Sequence, residues 1–354
     1  MPAGMGGFQN LNQWLVQGPA PVQALGLLMT ARRDGTRLAA LHQQWGAEAF
    51  AQACADAVTE LRTQAETARD AAAAHRARRD AAVLELLQQL GGEHARCLMQ
   101  ALSSCNHQAA PGCKLDGAYT QHTIPKRNGG ERLIHAPAPA LKQLQRAVLN
   151  KLLMPLGAHE AACGFVQGRS IVHNAQPHVG QAVVVNADIR NCFPSVSWSL
   201  VLGALRRHLG GHLGGHLSAP AIGLLVDLTT ARGALPVGAP SSPPLLNLVL
   251  RRTDEILHAQ ATRLGGHYTR YADDLTFSGG AQVVGLLKLA ERTLAHLGLE
   301  LDPKKTNVFR RGRRQMVTGL VVNDQVSVPR TVRRRLRAAV HQVEQGGQAH
   351  WDGL

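Results

Sequence analysis

At 354 residues the chain is long enough to bury a large core and to divide into two or three domains. Its 38 Lys+Arg against 24 Asp+Glu leave a net charge of +14 and a pI near 10.3. That excess points to a polyanionic partner; with 4% aromatic residues, contact with backbone phosphates is the first expectation and extensive base stacking the weaker one.

No apolar run approaches the roughly 18 residues of a bilayer span. Six cysteines (Cys54, Cys97, Cys105, Cys113, Cys163, Cys192) are scattered irregularly and follow no signal peptide, which favours reduced thiols over a disulfide framework. His94, Cys97, Cys105, His107 and Cys113 cluster, but at no standard zinc spacing. The expectation is a soluble, cytoplasmic protein without a membrane partner.

Residues 1–46 read as short helices broken by Gly and Pro. Residues 47–90 contain neither and are rich in Ala, Glu, Gln, Leu and Arg, which predicts one long helix or two with a polar joint, ended by Gly91-Gly92. From about Tyr119 strands and helices mix. Residues 124–134 read as a hairpin turning at Asn128-Gly129, with Lys126, Arg127 and Arg132 on a stiff two-stranded arm. Residues 141–156 read as an amphipathic helix.

Residues 181–189, QAVVVNADI, are strand formers that deliver Asp188 at the tip of a buried strand. Residues 235–244 form a Pro/Gly-dense turn running into a helix over 245–256, capped by Ser241 or Ser242. Two paired strands, 267–271 and 275–278, then flank Tyr271-Ala272-Asp273-Asp274. Ordinary turn chemistry produces Asp-Asp pairs. Two repelling acids at a hairpin tip are also what a divalent cation requires, and Asp188 supplies a third carboxylate that could meet them in one sheet. A helix over 281–297, an Asp302-Pro303-Lys304-Lys305-Thr306 turn and a strand over 316–322 follow. The last helix, 330–345, opens with five arginines in eight residues, suited to a phosphate backbone.

This ordered set of basic hairpin, strand-end Asp, Pro-Gly turn and Tyr-Ala-Asp-Asp hairpin resembles reverse transcriptases over residues 119–345. Two further elements resemble the bacterial retron branch: Asn174-Ala175-Gln176-Pro177-His178, and Val317-Thr318-Gly319 with Asn323 beyond it. The resemblance implies an α+β fold with right-hand polymerase fingers and palm, a short helical thumb and an α-helical N-terminal extension. The corresponding divisions are 1–110 as the extension, 111–180 as fingers and RNA-recognition segment, 181–325 as palm and 326–354 as partial thumb.

The resemblance also implies roles. Asp188, Asp273 and Asp274, with Ile189, match the site of two Mg²⁺ ions. Lys305, with Lys304 as competitor, matches the lysine that neutralises the departing pyrophosphate. Lys126 or Arg127, and Arg132, match the grip on the triphosphate of a dNTP; Phe193 matches the gate against a 2′-hydroxyl, and Gly238 the nucleotide-facing turn. Asn174, His178, Val317, Thr318 and Gly319, with Arg333, Arg334 and Arg337, match RNA-binding positions.

The implied partners are a cognate structured non-coding RNA, its branched DNA product (msDNA) and an effector or toxin protein, in antiphage defence. The chain departs from the family pattern in two ways: Val237 stands where the family has Gln, and the sequence stops at Leu354, soon after the arginine-rich helix, so that either the thumb is abbreviated or the sequence is truncated. A group II intron-like or other defence reverse transcriptase is the nearest alternative, and a non-catalytic RNA-binding scaffold is the alternative of another class.

Overall fold

The Gly- and Pro-free run folds as two helices, Ala47–Thr67 and Ala71–Leu90, with a joint at residues 68–70. The computed structural model describes residues 21–106, 108–126, 129–210 and 217–344. The chain divides into two units, Met1–Gly157 with Phe193–Val249, and Ala158–Cys192 with Leu250–Leu354.

In the first unit, Asp70 at the joint caps the second helix by accepting from the Ala72 amide at 2.9 Å. Gly91, at φ 92°, ends that helix. Leu84, Leu86, Leu87 and Leu90 are all fully buried, so the helix is wrapped by neighbours on more than one side. Its inward acids are paired: Asp80 takes Arg32 at 3.0 Å and Arg33 at 2.8 Å, and Glu85 accepts from the Ser218 amide and hydroxyl at 2.6 Å each. Arg69, Arg76 and Arg78 are exposed, a solvated face.

The arm is a hairpin of β1 (Tyr119–Pro125) and β2 (Glu131–Pro137), antiparallel, with Ile124 opposite Arg132. Most of its residues are exposed. Its base is anchored by fully buried Gln145, which donates to the Tyr119 hydroxyl at 2.7 Å and to the Leu228 carbonyl at 2.8 Å. The helix expected over 141–156 begins earlier, at Pro139–Val148, then widens into a π turn over Leu149–Leu153 and tightens over Met154–Leu156.

The second unit holds β3 (Val183–Asp188), β4 (His267–Tyr271), β5 (Asp274–Gly279) and β6 (Asn307–Arg310) in one antiparallel sheet of order β4-β5-β3-β6. Val183, Val184 and Val185 are buried, so central β3 has no solvent face along this run. The single strand expected over 316–322 is broken: β7 (Met316–Val317) and β8 (Leu320–Val321) form a minimal hairpin around Thr318 (φ 46°) and Gly319 (φ 83°). Two consecutive left-handed residues are what a two-residue hairpin turn demands. The helix Ser242–Arg263 is far longer than the stretch expected over 245–256, and Arg330–Glu344 closes the described chain. Among the described residues, no helix is long and apolar enough to cross a membrane.

Candidate active site at a carboxylate turn

Strand register makes the site. Asp188, last residue of β3, lies opposite Asp274, first residue of β5. Tyr271 pairs with Asp274 across the neighbouring ladder, which leaves Ala272-Asp273 as the connecting turn. The Ile189 amide donates to the Asp273 carbonyl at 3.0 Å, fixing the turn to the end of β3. Asp188 and Asp273 therefore meet as expected, and Asp274 is the direct ladder partner of Asp188.

The acids feel one another. Asp274 stays open to solvent on one side, yet its carboxyl is pushed up to about 7, first by desolvation and then by the charges of Asp273 and Asp188 and a hydrogen bond with Asp188. Opposite them sits one cation. Asp302 folds the 302–306 turn by accepting from the Lys304 amide with Oδ1 and from the Lys305 amide with its carbonyl, both at 3.0 Å. Its own amide donates to the Asp188 carbonyl at 2.8 Å. That geometry sends Lys305, and not Lys304, to Asp188: Nζ lies 2.7 Å from Oδ1. The hydrogen bond to Asp188 holds the Lys305 ammonium above the usual lysine range.

These donors fit a hard divalent cation. Among the described residues no three His, Cys, Asp or Glu side chains are grouped to hold a metal. A cation held by Asp188 and the carboxylates beside it would complete its shell from water and phosphate oxygens, the manner in which Mg²⁺ is usually bound. The hydrogen bond between two carboxyls, and the ammonium resting on one of them, mark a cradle built for positive charge.

Sequence reasoning missed what holds the turn. Arg270, the residue before Tyr271, is fully buried and grips Asp254 with a fork: Nε to Oδ1 at 2.8 Å and Nη2 to Oδ2 at 2.6 Å. Its remaining arm, Nη1, donates to the Ala272 carbonyl at 2.9 Å. The Tyr268 hydroxyl donates to the same Asp254 oxygen as Nε, at 2.8 Å. Ala272 has φ 59°, a left-handed conformation uncommon for a residue with a side chain. Arg270 thus ties the strained residue of the turn to the helix Ser242–Arg263. The signal is present as an Arg inside a strand and an Asp in an apolar-faced helix, 16 residues apart.

The RNA-facing set is corrected in part. Asn174, His178 and Val317 are fully buried and have no surface with which to touch RNA directly. His178 bridges β4 and β5, with Nδ1 2.7 Å from the Ser278 hydroxyl and Nε2 2.8 Å from that of Thr269. Burial pushes its pKa down to about 3 and keeps the ring neutral. Val317 packs with Ala175, Val184, Leu320 and Val322, and the Thr318 hydroxyl donates to the Ile171 carbonyl at 3.3 Å. The two retron-like elements are thereby joined, leaving the Thr318-Gly319 turn at the surface. Arg333, Arg334 and Arg337 are exposed on a helix with no buried residue.

In the first unit Lys126 and Arg132 are exposed on the arm; Arg127 lies outside the described residues. Gly238, at φ 112°, lies so close to β2 that a Cβ there would meet Ile134 Cγ2 at 2.9 Å, and the His135 amide donates to the Val237 carbonyl at 2.7 Å. The Pro236-Val237-Gly238 turn is therefore seated on the arm, and the position where the family has Gln contributes a backbone contact. Phe193 is half-buried on the short helix Cys192–Ser195.

Residues 124–328 match the family described as reverse transcriptase (RNA-dependent DNA polymerase). The chain is 41% identical over 259 residues to the retron Mx162 reverse transcriptase and 42% identical over 255 residues to the retron Mx65 enzyme, both of Myxococcus xanthus. These alignments cover 64% and 67% of this chain, but 53% and 60% of those proteins. The chain thus spans little more than half the length of the two relatives. With the retron Ec86 reverse transcriptase of Escherichia coli, identity is 33% over 233 residues, covering 64% of this chain and 71% of the relative. A solved telomerase from Candida albicans aligns over 64% of this chain and 50% of its own at TM-score 0.43 and 11% identity.

Proposed function

Because the chain belongs to the reverse transcriptase family, in its retron branch, we propose that it is an RNA-directed DNA polymerase that copies a cognate structured RNA into DNA. One observation carries the reading: Asp188 faces Asp274 in register beside Asp273, with the Lys305 ammonium on Asp188. Repelling acids grouped around a cation are costly for a binding scaffold and useful to a nucleotidyl transferase.

On this reading Asp188, Asp273 and Asp274, with the Ile189 carbonyl, would hold two Mg²⁺ ions. When bound, these supply the positive charge that acidifies a primer hydroxyl and steadies the phosphates. Lys305 releases Asp188 when a triphosphate arrives and neutralises or protonates the departing pyrophosphate. Lys126 and Arg132 grip the triphosphate from the arm, where a guanidinium matches phosphate geometry. Phe193 closes the space under C2′ and selects deoxynucleotides, and Gly238 lets the nucleotide approach.

Residues 111–180 serve as fingers and recognition segment, 181–325 as palm and 326–354 as partial thumb behind the extension 1–110. The buried Asn174, His178 and Val317 brace the palm and present Thr318-Gly319 to RNA, with Arg333, Arg334 and Arg337 on its phosphates. The product is a branched RNA–DNA hybrid serving antiphage defence in the cytoplasm with an effector protein.

Asp273→Asn tests the core of this reading, since it removes a charge and keeps the shape. Incorporation of dNTPs on a primed RNA template should fall about 100- to 1,000-fold, on the scale of losing one element of transition-state charge stabilisation, while RNA affinity is little changed, as phosphate contacts lie elsewhere. Incorporation at the wild-type rate overturns the assignment.

A further inference from the structure

Phe165 breaks two rules at once. It is 48% exposed, whereas Phe50 and Phe277 are buried at 1% and 0%; among the described residues every other Phe, Tyr and Trp is buried or half-buried. Its backbone also sits at φ 61°, which for a bulky side chain persists only where the surroundings over-determine it.

The surroundings do so. Gly164 lies so close to the carboxylate turn that a Cβ there would meet the Ala272 amide nitrogen at 2.3 Å and the Tyr271 carbonyl carbon at 3.0 Å. The Cys163 amide donates to the Arg270 carbonyl at 2.7 Å, the Arg270 amide donates to the Ala161 carbonyl at 2.8 Å, and Ala162 bridges Arg270. On the far side, Arg169 Nη1 donates to the carbonyls of His159 at 3.3 Å and Ala162 at 2.7 Å, and to that of Glu160. The segment is fastened at both ends, and the residue next to Gly164 stands at the rim of the turn that carries Asp273.

We propose that Phe165 is a base-stacking residue for the template–primer hybrid, a fixed apolar face beside the carboxylate turn. This rests on the polymerase reading, because a primer end must come to Asp273 if that acid serves incorporation. Arginines and lysines supply sequence-blind attraction to phosphate, but they do not hold a terminal base pair flat. An aromatic face does so for any base, since every base presents a π surface. Strain and exposure are tolerated at a site where rigidity of one ring is what binding requires.

The test uses the full chain and an RNA template annealed to a DNA primer with 2-aminopurine at its 3′ end. Phe165→Ala and Phe165→Gly should raise the Kd for this hybrid about 5- to 100-fold, the range for removal of one base–aromatic stack, and leave the 2-aminopurine brighter than with the wild type. Phe165→Trp should restore both. The slope of log Kd against log salt should not change, because every phosphate contact is kept. Glycine adopts left-handed φ without strain, so Phe165→Gly removes the ring with no backbone penalty, and its melting temperature beside that of Phe165→Ala reads what the ring contributes to the fold separately from what it contributes to binding.

An unchanged Kd in both the Ala and Gly variants overturns the proposal, as does a loss confined to KM for the dNTP. Asp273→Asn runs alongside. If it still incorporates, the polymerase reading fails. If it is inactive and the Phe165 variants bind normally, only the stacking role fails.

Discussion

The carboxylate turn and the arginine helix Arg330–Glu344 carry the two kinds of charge this chain concentrates, and they are built in opposite ways. At the turn almost every group is fixed: the Ala272 carbonyl by Arg270, the Asp273 carbonyl by Ile189, the Asp188 carboxylate by Lys305 and its carbonyl by Asp302. On the helix none of the residues is buried. Five arginines at its start stand in water, and Leu336, Val340 and Val343 are 48%, 48% and 56% exposed. Acids that must hold reacting oxygens in line have to be positioned within a fraction of an ångström. Cations that follow a phosphate backbone gain by remaining adaptable, since their contribution is long-range and sequence-blind. Deep substitutions near the turn should therefore produce large, specific losses, and substitutions on the helix small, salt-dependent ones.

The largest effect should come from Asp254. Arg270 is buried as a charge, and Asp254 compensates it. Asp254→Ala strands the guanidinium and should cost about 3–5 kcal/mol of stability, the usual penalty for breaking a buried pair. Asp254→Asn keeps the shape and one acceptor oxygen, but its amide nitrogen would face an Arg270 donor and the buried charge goes uncompensated, so it should recover only part of that cost. Incorporation should nonetheless fall with it, because the Ala272 carbonyl loses its rigid anchor. Denaturant midpoints and single-turnover rates for both variants decide this. Normal rates in a folded Asp254→Asn protein would show that the turn holds itself.

Lys305 should come next, with the effect in rate and not in fold. Lys305→Met keeps the stem and loses the ammonium, and kcat should drop about 10²- to 10⁴-fold, the range of a general acid, with KM for template–primer little changed. Lys304→Met is the internal control and should be near wild type, because the ammonium on Asp188 belongs to Lys305. Equal losses in the two would break the distinction the Asp302 turn draws between them.

A third effect is a pH dependence. His178 is buried neutral, with its pKa pushed from the ordinary 6.5 to about 3. The unfolded chain therefore binds a proton that the folded chain refuses between these values. Stability attributable to this residue is fully present above about 6.5 and is lost as pH falls towards about 3. His178→Gln should lower the melting temperature at about pH 7.5, where the bridge between Ser278 and Thr269 is intact, and the gap to wild type should close as the buffer is acidified through that window. A gap that is constant from about pH 7.5 to about pH 4 would mean that packing, not the neutral ring, is what His178 contributes.

Chemistry is more legible in the sequence than support is. The acids can be read because each announces itself locally: Asp188 at the tip of a valine run, Asp273 and Asp274 between two strand patterns. The pairing of Asp188 with Asp274 needs only that those strands be neighbours. Arg270 and Asp254 are illegible because each looks ordinary in its own element, and their pairing depends on how strand and helix pack. Lys304 and Lys305 compete in the sequence for a related reason: the direction of a turn is set by which amides Asp302 caps. Asn174 and His178 read as surface groups because polar residues mostly are; here the strand hydroxyls of Thr269 and Ser278 make a buried imidazole tolerable. The broken strand at Val317-Thr318-Gly319-Leu320 carries its turn signal in Thr-Gly, obscured by apolar residues on both sides.

The smallest expected effect belongs to the arginine helix, and it sharpens the contrast best because it differs in kind. Replacing Arg333, Arg334 and Arg337 together by Gln removes three exposed charges from a helix without a buried residue, so stability should move by no more than about 0.5 kcal/mol per site and kcat at saturating RNA should hold. If these side chains lie on phosphates, each arginine removed should reduce the slope of log Kobs against log salt by about 0.7 to 0.9. The fall in affinity should be the same for cognate and unrelated RNA, vanishing as salt is raised towards the level where wild type itself binds weakly. A fall that is larger for cognate RNA, or that persists at high salt, would show that these arginines read structure as well as charge, and the helix would then share the fixed, specific character of the carboxylate turn.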